Sequence, residues 1–108
     1  MSTSAGSYAV IFVSKKMALD AASLAAYEET ASRMLALAAK MPGYLGVDGA
    51  YQNDGIGITI SYWESEDAIT AWREEVEHSE ARARGKSEWY ESYSLKVARI
   101  ERAYDWQT

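Results

Sequence analysis

The chain contains no cysteine among its 108 residues and only one histidine. The absence of thiols excludes disulfides, thiolate metal sites and cysteine nucleophiles, and it is typical of proteins from a reducing compartment. With one histidine and no cysteine, a metal site would depend on carboxylates for its other ligands. The acidic residues, however, have spacings typical of solvated helix surfaces. We therefore expect a cytoplasmic protein with no metal centre.

Membrane spans, nucleic-acid-binding stripes and common catalytic motifs are also missing. The apolar run YAVIFV is too short to cross a membrane, and no cationic segment precedes it. The net charge of -5 would repel a phosphate backbone, so neither a membrane nor a nucleic acid is an expected partner. The motifs G-x-S-x-G, P-loop and G-x-G-x-x-G do not occur, which sets aside the common hydrolases, kinases and dinucleotide-binding enzymes.

Residues 8–108 have the periodic patterns of a single domain, preceded by a polar tail over residues 1–7 that we expect to be disordered. Alternating apolar residues predict strands, and apolar residues at steps of three and four predict helices. The predicted elements are a strand over 8–14, a helix over 20–41, two strands flanking the turn NDG, a helix from Ser65 to about Arg84, and a final strand over 94–106.

The order β-α-β-β-α-β is that of a ferredoxin-like α+β fold, in which a four-stranded antiparallel sheet has both helices on one face. In the third strand, Ile58 and Ile60 lie on one side and Thr59 and Trp63 lie on the other, so both faces need to be covered. Two helices cover only one face. We therefore expect a homodimer in which two sheets pack together as a dimeric α+β barrel.

The only histidine, His78, lies in the second predicted helix. At 100° per residue, Trp72 falls on the same stripe as Ile69, whereas His78 lies about 180° away from Ile69, beside Glu74. A regular helix would therefore direct His78 to solvent, and only a break in the helix would bring it into a pocket. The run HSEARARG contains nothing before Gly85 that forces such a break.

Two tryptophans are expected to meet between the helix and the sheet. Trp63 ends the third strand, and Trp72 lies on the inward stripe of the second helix. Structural packing is a sufficient reason for both rings. The alternative is that they form the walls of a cavity for a flat aromatic ligand, with Thr59 and Ser61 as polar contacts.

A recognisable pattern is carried by three segments: MPGYLGVDG, ITISYWESEDAITAWREE and WYESYSLKVARIERAY. With them the chain resembles the antibiotic biosynthesis monooxygenase family of small dimeric α+β barrels, which also includes the IsdG-like haem-degrading enzymes. The resemblance covers most of the chain beyond Met34. It implies either an oxygenase without a cofactor, in which the bound polyphenol is deprotonated and passes electrons to dioxygen, or a haem-degrading enzyme.

Haem degraders of this family use a helix histidine as iron ligand, a tryptophan in the same helix and an asparagine on the first strand. Trp72 matches that tryptophan by its distance from Trp63, but the only asparagine is Asn53, in a predicted turn. In an ungapped helix the iron-ligand position falls on Arg82, whose guanidinium stays protonated and cannot bind iron. Haem is therefore disfavoured, and no other cofactor is expected.

Three functional hypotheses stay open. The first is a cofactor-independent monooxygenase for a small aromatic or quinol-like molecule, in which His78 or Arg82 stabilises a phenolate and Tyr90 or Tyr93 donates hydrogen bonds. The second is haem binding or degradation with altered ligation. The third is a non-catalytic dimeric module that binds a ligand or responds to stress, and it would be favoured over an enzyme if large side chains filled the space beside Trp72.

Overall fold

The computed structural model describes residues 5–108, apart from the side chain of Val76, as one antiparallel sheet and three helices. The strands are β1 (Tyr8–Lys16), β2 (Tyr44–Tyr51), β3 (Ile56–Trp63) and β4 (Tyr90–Arg99), and the helices are α1 (Ala21–Ala38), α2 (Glu66–Glu74) and α3 (Val76–Arg84). A single π-helical turn, Gly85–Trp89, joins α3 to β4. The strand order β2-β3-β1-β4 confirms the predicted ferredoxin-like α+β fold. No helix within the described part of the chain is long and apolar enough to cross a membrane.

The register of the sheet assigns each side chain to one of its two faces. Phe12 and Ser14 of β1 pair with Thr59 and Gly57 of β3, and these residues face the helices. Because successive side chains of a strand point to opposite faces, Ile11 lies on the other side of the sheet. The helix-facing side therefore combines aromatic rings with small hydroxyl side chains.

Helix α1 begins at a capping carboxylate and ends before a tight turn. The side chain of Asp20 accepts a hydrogen bond of 2.8 Å from the backbone nitrogen of Ser23, which satisfies one of the free amide groups of the first turn. The helix ends at Ala38, earlier than predicted, and Gly43 follows in a conformation with φ of +85°. A Cβ atom on Gly43 would lie 2.6 Å from the Cβ of Ala68, so only glycine fits where this turn approaches α2.

The continuous helix predicted from Ser65 to Arg84 is wrong, because the chain leaves the helical conformation at Glu75, with φ of −59° and ψ of 134°. The Glu75 carboxylate accepts hydrogen bonds from the backbone nitrogens of Glu77 at 3.2 Å and His78 at 3.0 Å, and so caps α3. Carboxylates are stabilising near the positive end of a helix dipole. The break therefore places Glu75 and Glu77 where their charges favour a new helix.

The two ends of the domain lie beyond the strands of the sheet. Gly6 donates a backbone hydrogen bond to the Ile100 oxygen, and Ile100 donates one to the Ser7 oxygen, both at 2.9 Å, so Gly6 and Ser7 pair with the residue that follows the last strand. Residues 1–4 of the predicted tail lie outside the described residues. The last strand is shorter than predicted, and residues 100–108 continue without regular structure. Two aromatic side chains there are 85% exposed, Tyr104 and Trp106.

Few apolar side chains are buried for a domain of this size. Among the described residues they are Ala9, Tyr27, Ala38, Trp63, Ala68 and Trp89. Trp63, which is fully buried, packs with Ala38 and Ala68 at one end of the space between helices and sheet. Tyr27 and Trp89 pack edge to face at another place, with ring centroids 5.5 Å apart. Because these clusters are small, the helices and the sheet enclose open space beside them.

Candidate functional site

A cavity of about 460 Å³ lies between the sheet and the helices. This volume is typical of a site for a small organic molecule. Although the rings of Trp63 and His78 stack on Trp72, the cavity that Trp72 lines is open, which is the condition that the enzyme hypothesis has to meet. Of the residues predicted to contact a ligand, the structure brings these to the cavity wall: Thr59, Ser61, Trp72, His78, Arg82 and Tyr90.

Two of the residues predicted to contact a ligand, Trp63 and Tyr93, do not line the cavity. Trp63 is fully buried behind the wall, where it stacks on Trp72 with ring centroids 6.1 Å apart and its Nε1 donates a 2.9 Å hydrogen bond to the Ser61 hydroxyl. Tyr93 is 39% exposed and packs against Phe12, and it does not line the cavity. Trp63 therefore supports the wall, because it holds Trp72 and Ser61 in place.

His78 faces the cavity, so the prediction that it points to solvent is wrong. Its ring lies flat against Trp72, with centroids 4.0 Å apart and an interplanar angle of 10°. Its Nδ1 atom lies 2.9 Å from the carbonyl oxygen of Trp72. The break at Glu75 causes this placement, because it rotates the start of α3 relative to the inward stripe of α2.

The contact with Trp72 fixes the tautomer of His78. A carbonyl oxygen only accepts hydrogen bonds, so Nδ1 must carry the proton and Nε2 keeps a free lone pair. Burial lowers the pKa of His78; the Trp72 hydrogen bond opposes this effect, whereas the positive charge of Arg82 adds to it. A histidine with a lowered pKa is neutral at physiological pH. His78 is therefore a base with its acceptor nitrogen available.

Arg82 places a positive charge beside this base. Its Nη2 atom donates to the Arg73 carbonyl at 3.2 Å and to the Ser79 hydroxyl at 3.3 Å. Its Nε atom is buried and is the only such side-chain nitrogen or oxygen among residues 5–108 without a hydrogen-bond partner. A buried donor without an acceptor is costly. An anionic oxygen in the cavity would compensate the guanidinium charge.

A second polar group in the cavity wall joins the predicted residue Tyr90 with Tyr27 and Ser14, which sequence reasoning missed. The hydroxyl of Tyr90 donates to that of Tyr27 at 3.3 Å, and Ser14 lies on the neighbouring stretch of β1. Burial raises the pKa of both tyrosines, so their hydroxyls are neutral donors. Tyr27 follows the three- and four-residue spacing of the inward face of α1, and this is the signal that could have revealed it.

Tyr51 covers part of the cavity beside Lys16. The Lys16 ammonium lies 4.9 Å from the ring centroid of Tyr27 and 5.4 Å from that of Tyr51, which are cation–π distances. The Tyr51 ring lies across Gly57, where a Cβ atom would come within 2.7 Å of it. Its hydroxyl is 3.4 Å from that of Thr59. Since Tyr51 is 60% exposed, it forms the outer edge of the cavity wall.

The sequence profile of the antibiotic biosynthesis monooxygenases matches residues 10–84, well over half of the chain. The chain belongs to the antibiotic biosynthesis monooxygenase family. The matched region includes Trp72, His78 and Arg82, and it ends before Tyr90. The uncharacterized protein YqjZ of Bacillus subtilis is 52% identical over 95 residues, which cover 88% of this chain and 80% of YqjZ.

Solved structures share the fold of this antibiotic biosynthesis monooxygenase family member. SnoaB, a cofactor-independent oxygenase from Streptomyces nogalater, matches with a TM-score of 0.75 and 13% identity over 92% of this chain and 97% of SnoaB. A dimeric ferredoxin-like protein of unknown function from Bacteroides fragilis matches with a TM-score of 0.70 and 15% identity over 91% of this chain and 100% of that protein. At these identities the likeness shows the fold alone.

Proposed function

We propose that the protein is a cofactor-independent monooxygenase that oxidises a small aromatic or quinol-like molecule in the cavity between its helices and sheet. The observation that carries this proposal is the neutral base His78, which faces the cavity with a free Nε2 beside the charge of Arg82. Membership of the family supports the reaction class, and the structural likeness to the oxygenase SnoaB is consistent with it.

The first step removes a proton from the substrate. Nε2 of His78 accepts the proton of an acidic hydroxyl or activated C–H group, and the Trp72 carbonyl holds the resulting imidazolium through Nδ1–H. Arg82 stabilises the anion left on the substrate, since its charge is held close to His78. Trp72 also lines the cavity, where it offers an apolar contact to the aromatic ring of the substrate.

The second step uses dioxygen as the oxidant, and the substrate supplies the electrons. The delocalised substrate anion transfers electrons to dioxygen, and a carbon–oxygen bond forms at the carbon of a CH₂ group in the substrate ring to give a peroxide anion. This anion takes the proton back from the His78 imidazolium and becomes a hydroperoxide. Loss of water from this hydroperoxide converts the original CH₂ group to a carbonyl. One oxygen atom enters the product and the other leaves as water, so the reaction needs no external reductant.

A test of this proposal is oxidation of 1,8-dihydroxyanthrone under ¹⁸O₂, with dioxygen consumption and product mass measured against a protein-free control. We expect a quinone that carries one ¹⁸O atom. Because general-base catalysis typically contributes about 10²–10⁴-fold, His78→Ala should lower the rate by about 100-fold or more. Arg82→Gln should also slow the reaction, whereas the same change at the exposed Arg102 should not.

Two results would argue against an oxygenase. One is a rate of dioxygen consumption equal to the protein-free rate while the probe binds in the cavity. The other is a full rate in His78→Ala, which would remove the base from the mechanism. If bound probe is released unchanged, the protein is a ligand-binding module instead.

Haem binding is a second candidate, because His78 points into the cavity instead of towards solvent. His78 would supply the iron ligand through Nε2, and Arg73 and Arg82 would pair with the haem carboxylates. The test is a titration with hemin followed by the Soret band, run beside His78→Ala. Saturable binding of one hemin per subunit that is lost in the variant would favour this candidate over the first.

We also propose that the protein is a homodimer whose sheets pack face to face. The helix-free side of the sheet carries Ile11, Val13, Ile60, Tyr62 and Ile58, the last of which is 40% exposed. A contiguous apolar surface of this kind is typical of an interface. Light scattering after gel filtration should give a dimer that Ile60→Glu dissociates, and a monomeric wild-type protein would refute the proposal. Location in the cytoplasm stays a prediction.

A further inference from the structure

We infer that the cavity has a second polar subsite, formed by Ser14, Tyr27 and Tyr90, that binds the carbonyl oxygen of an aromatic ketone or quinone. This inference rests on the proposed function for the identity of the cavity as the substrate site, and it specifies the substrate class. The substrate would carry an ionisable group for His78 and a separate oxygen acceptor for this second subsite. We call these three residues the donor subsite.

The tyrosine pair leaves one hydroxyl hydrogen unused. Tyr27 and Tyr90 share a single hydrogen bond of 3.3 Å between their hydroxyls, and both side chains line the cavity. Two phenols contribute two hydrogens, and one hydrogen bond uses only one of them. No other described residue accepts a hydrogen bond from either hydroxyl. An acceptor on a ligand would satisfy the remaining donor.

The environment of Ser14 independently indicates a ligand beside the tyrosine pair. The residue is only 5% exposed, it lines the cavity, and no described residue hydrogen-bonds to its hydroxyl. Ser14 and Lys16 are two residues apart on β1, so their side chains lie on the same face of the sheet. Because Lys16 pairs with Tyr90, Ser14 lies near Tyr90. The Ser14 hydroxyl oxygen opens to the cavity, since Arg82 Nε is the only fully buried side-chain nitrogen or oxygen without a partner among the described residues. It is therefore available to a ligand in the cavity.

The chemistry of the donor subsite selects a neutral acceptor. Both tyrosines remain protonated, because burial raises their pKa values. Phe12 and Trp89 pack edge to face against Tyr90 and Tyr27 respectively, at centroid distances of 5.5 Å, and fix the orientation of the phenols. Neutral hydroxyl donors between aromatic rings match a carbonyl oxygen on a flat ring system. They match an ammonium group poorly, because no carboxylate takes part.

The test compares two probes that differ only at this oxygen. 9-Fluorenone and fluorene have the same flat three-ring skeleton, but only fluorenone has a carbonyl acceptor, and neither has an ionisable group for His78. Dissociation constants are measured by quenching of tryptophan fluorescence. Because a neutral hydrogen bond contributes about 0.5–1.5 kcal/mol net, we expect the wild-type protein to prefer fluorenone by about 2- to 13-fold. The carbonyl stretching band of bound fluorenone should shift to lower frequency.

The decisive variant is the double substitution Tyr27→Phe with Tyr90→Phe. A single substitution would free the hydroxyl of the remaining tyrosine to donate to the ligand, so it would weaken the preference only in part. Removing both hydroxyls leaves no unpaired polar atom and therefore disturbs folding little. Ser14→Ala removes the third donor. Tyr93→Phe is the matched control, since it removes a tyrosine hydroxyl on the same strand but outside the cavity wall.

We expect the double variant and Ser14→Ala to lower fluorenone affinity while fluorene affinity stays constant, and Tyr93→Phe to behave as the wild type. Equal affinity of the wild type for the two probes would overturn the inference, as would a full preference in both the double variant and Ser14→Ala. These measurements involve no oxygen chemistry. A protein that prefers fluorenone but never consumes dioxygen would contradict the proposed function alone, whereas an active oxygenase without the preference would contradict this subsite alone.

Discussion

Replacing Trp72 with leucine should weaken the protein and change the titration of its only histidine. Trp72 packs against Trp63 at 6.1 Å and against His78 at 4.0 Å between ring centroids. Each aromatic pair contributes roughly 0.5–1.5 kcal/mol beyond the area that it buries. Leucine keeps part of that burial, so we expect the free energy of unfolding to fall by about 2–3 kcal/mol. For a domain of this size the melting temperature should fall by roughly 10–15 °C.

The same substitution removes the ring that shields one face of His78. Because burial is the main cause of the lowered pKa, the pKa should rise towards the ordinary histidine value in Trp72→Leu. Since the chain has a single histidine, nitrogen-15 NMR reads both its titration and its tautomer without ambiguity. The wild type should show protonated Nδ1 at neutral pH.

Trp106→Leu is the control for this experiment, because Trp106 is 85% exposed and lies in the segment after the last strand. It should leave both the unfolding free energy and the histidine titration unchanged. An identical His78 titration in Trp72→Leu and the wild type would refute the argument, because Trp72 would then contribute nothing to the environment of the base. A wild-type histidine protonated on Nε2 would be equally damaging.

Three further substitutions or conditions test the local structure. As the pH falls through about 6.5, the free energy of unfolding should decrease, because His78 binds a proton more readily in the unfolded chain than in the folded one. His78→Gln should remove this pH dependence of the unfolding free energy, measured by urea denaturation. Gly43→Ala should cost about 2–4 kcal/mol from its positive φ and its contact with α2, whereas Gly49→Ala meets only ordinary contacts and should be mild in the same assay. Glu75→Ala should cost about 1 kcal/mol and speed hydrogen exchange at the Glu77 amide, and unchanged exchange would exclude capping by Glu75.

The sheet could be predicted from the sequence because strand alternation is a local property. The residues of β3 alternate between Ile58 or Ile60 on one face and Thr59 or Ser61 on the other, and the register places them as that alternation requires. The turn after α1 was likewise marked by proline and glycine. Thr59 and Ser61 reach the cavity for the same reason, since their parity alone determines their face.

The placement of His78 could not be predicted, because a helical wheel assumes an unbroken helix. At the break, Glu75 caps α3 instead of continuing α2. A contact distant in sequence also holds α3, because Nε and Nη2 of Arg33 donate hydrogen bonds of 2.9 and 3.0 Å to the carboxylate of Glu77. The approach of α1 to α3 is known only once the fold is complete. Tertiary contacts therefore decided the orientation of the base.

Because the core is small, the abundance of the protein should depend on whether its cavity is occupied. A ligand in the cavity would complete the packing that side chains leave unfinished, so it would bind the folded chain and not the unfolded one. A ligand at 100 times its dissociation constant stabilises a folded protein by about 2.7 kcal/mol. Because proteases remove unfolded chains, such a change in stability alters abundance several-fold. The supply of a small molecule that binds the cavity would thus affect the lifetime of the protein.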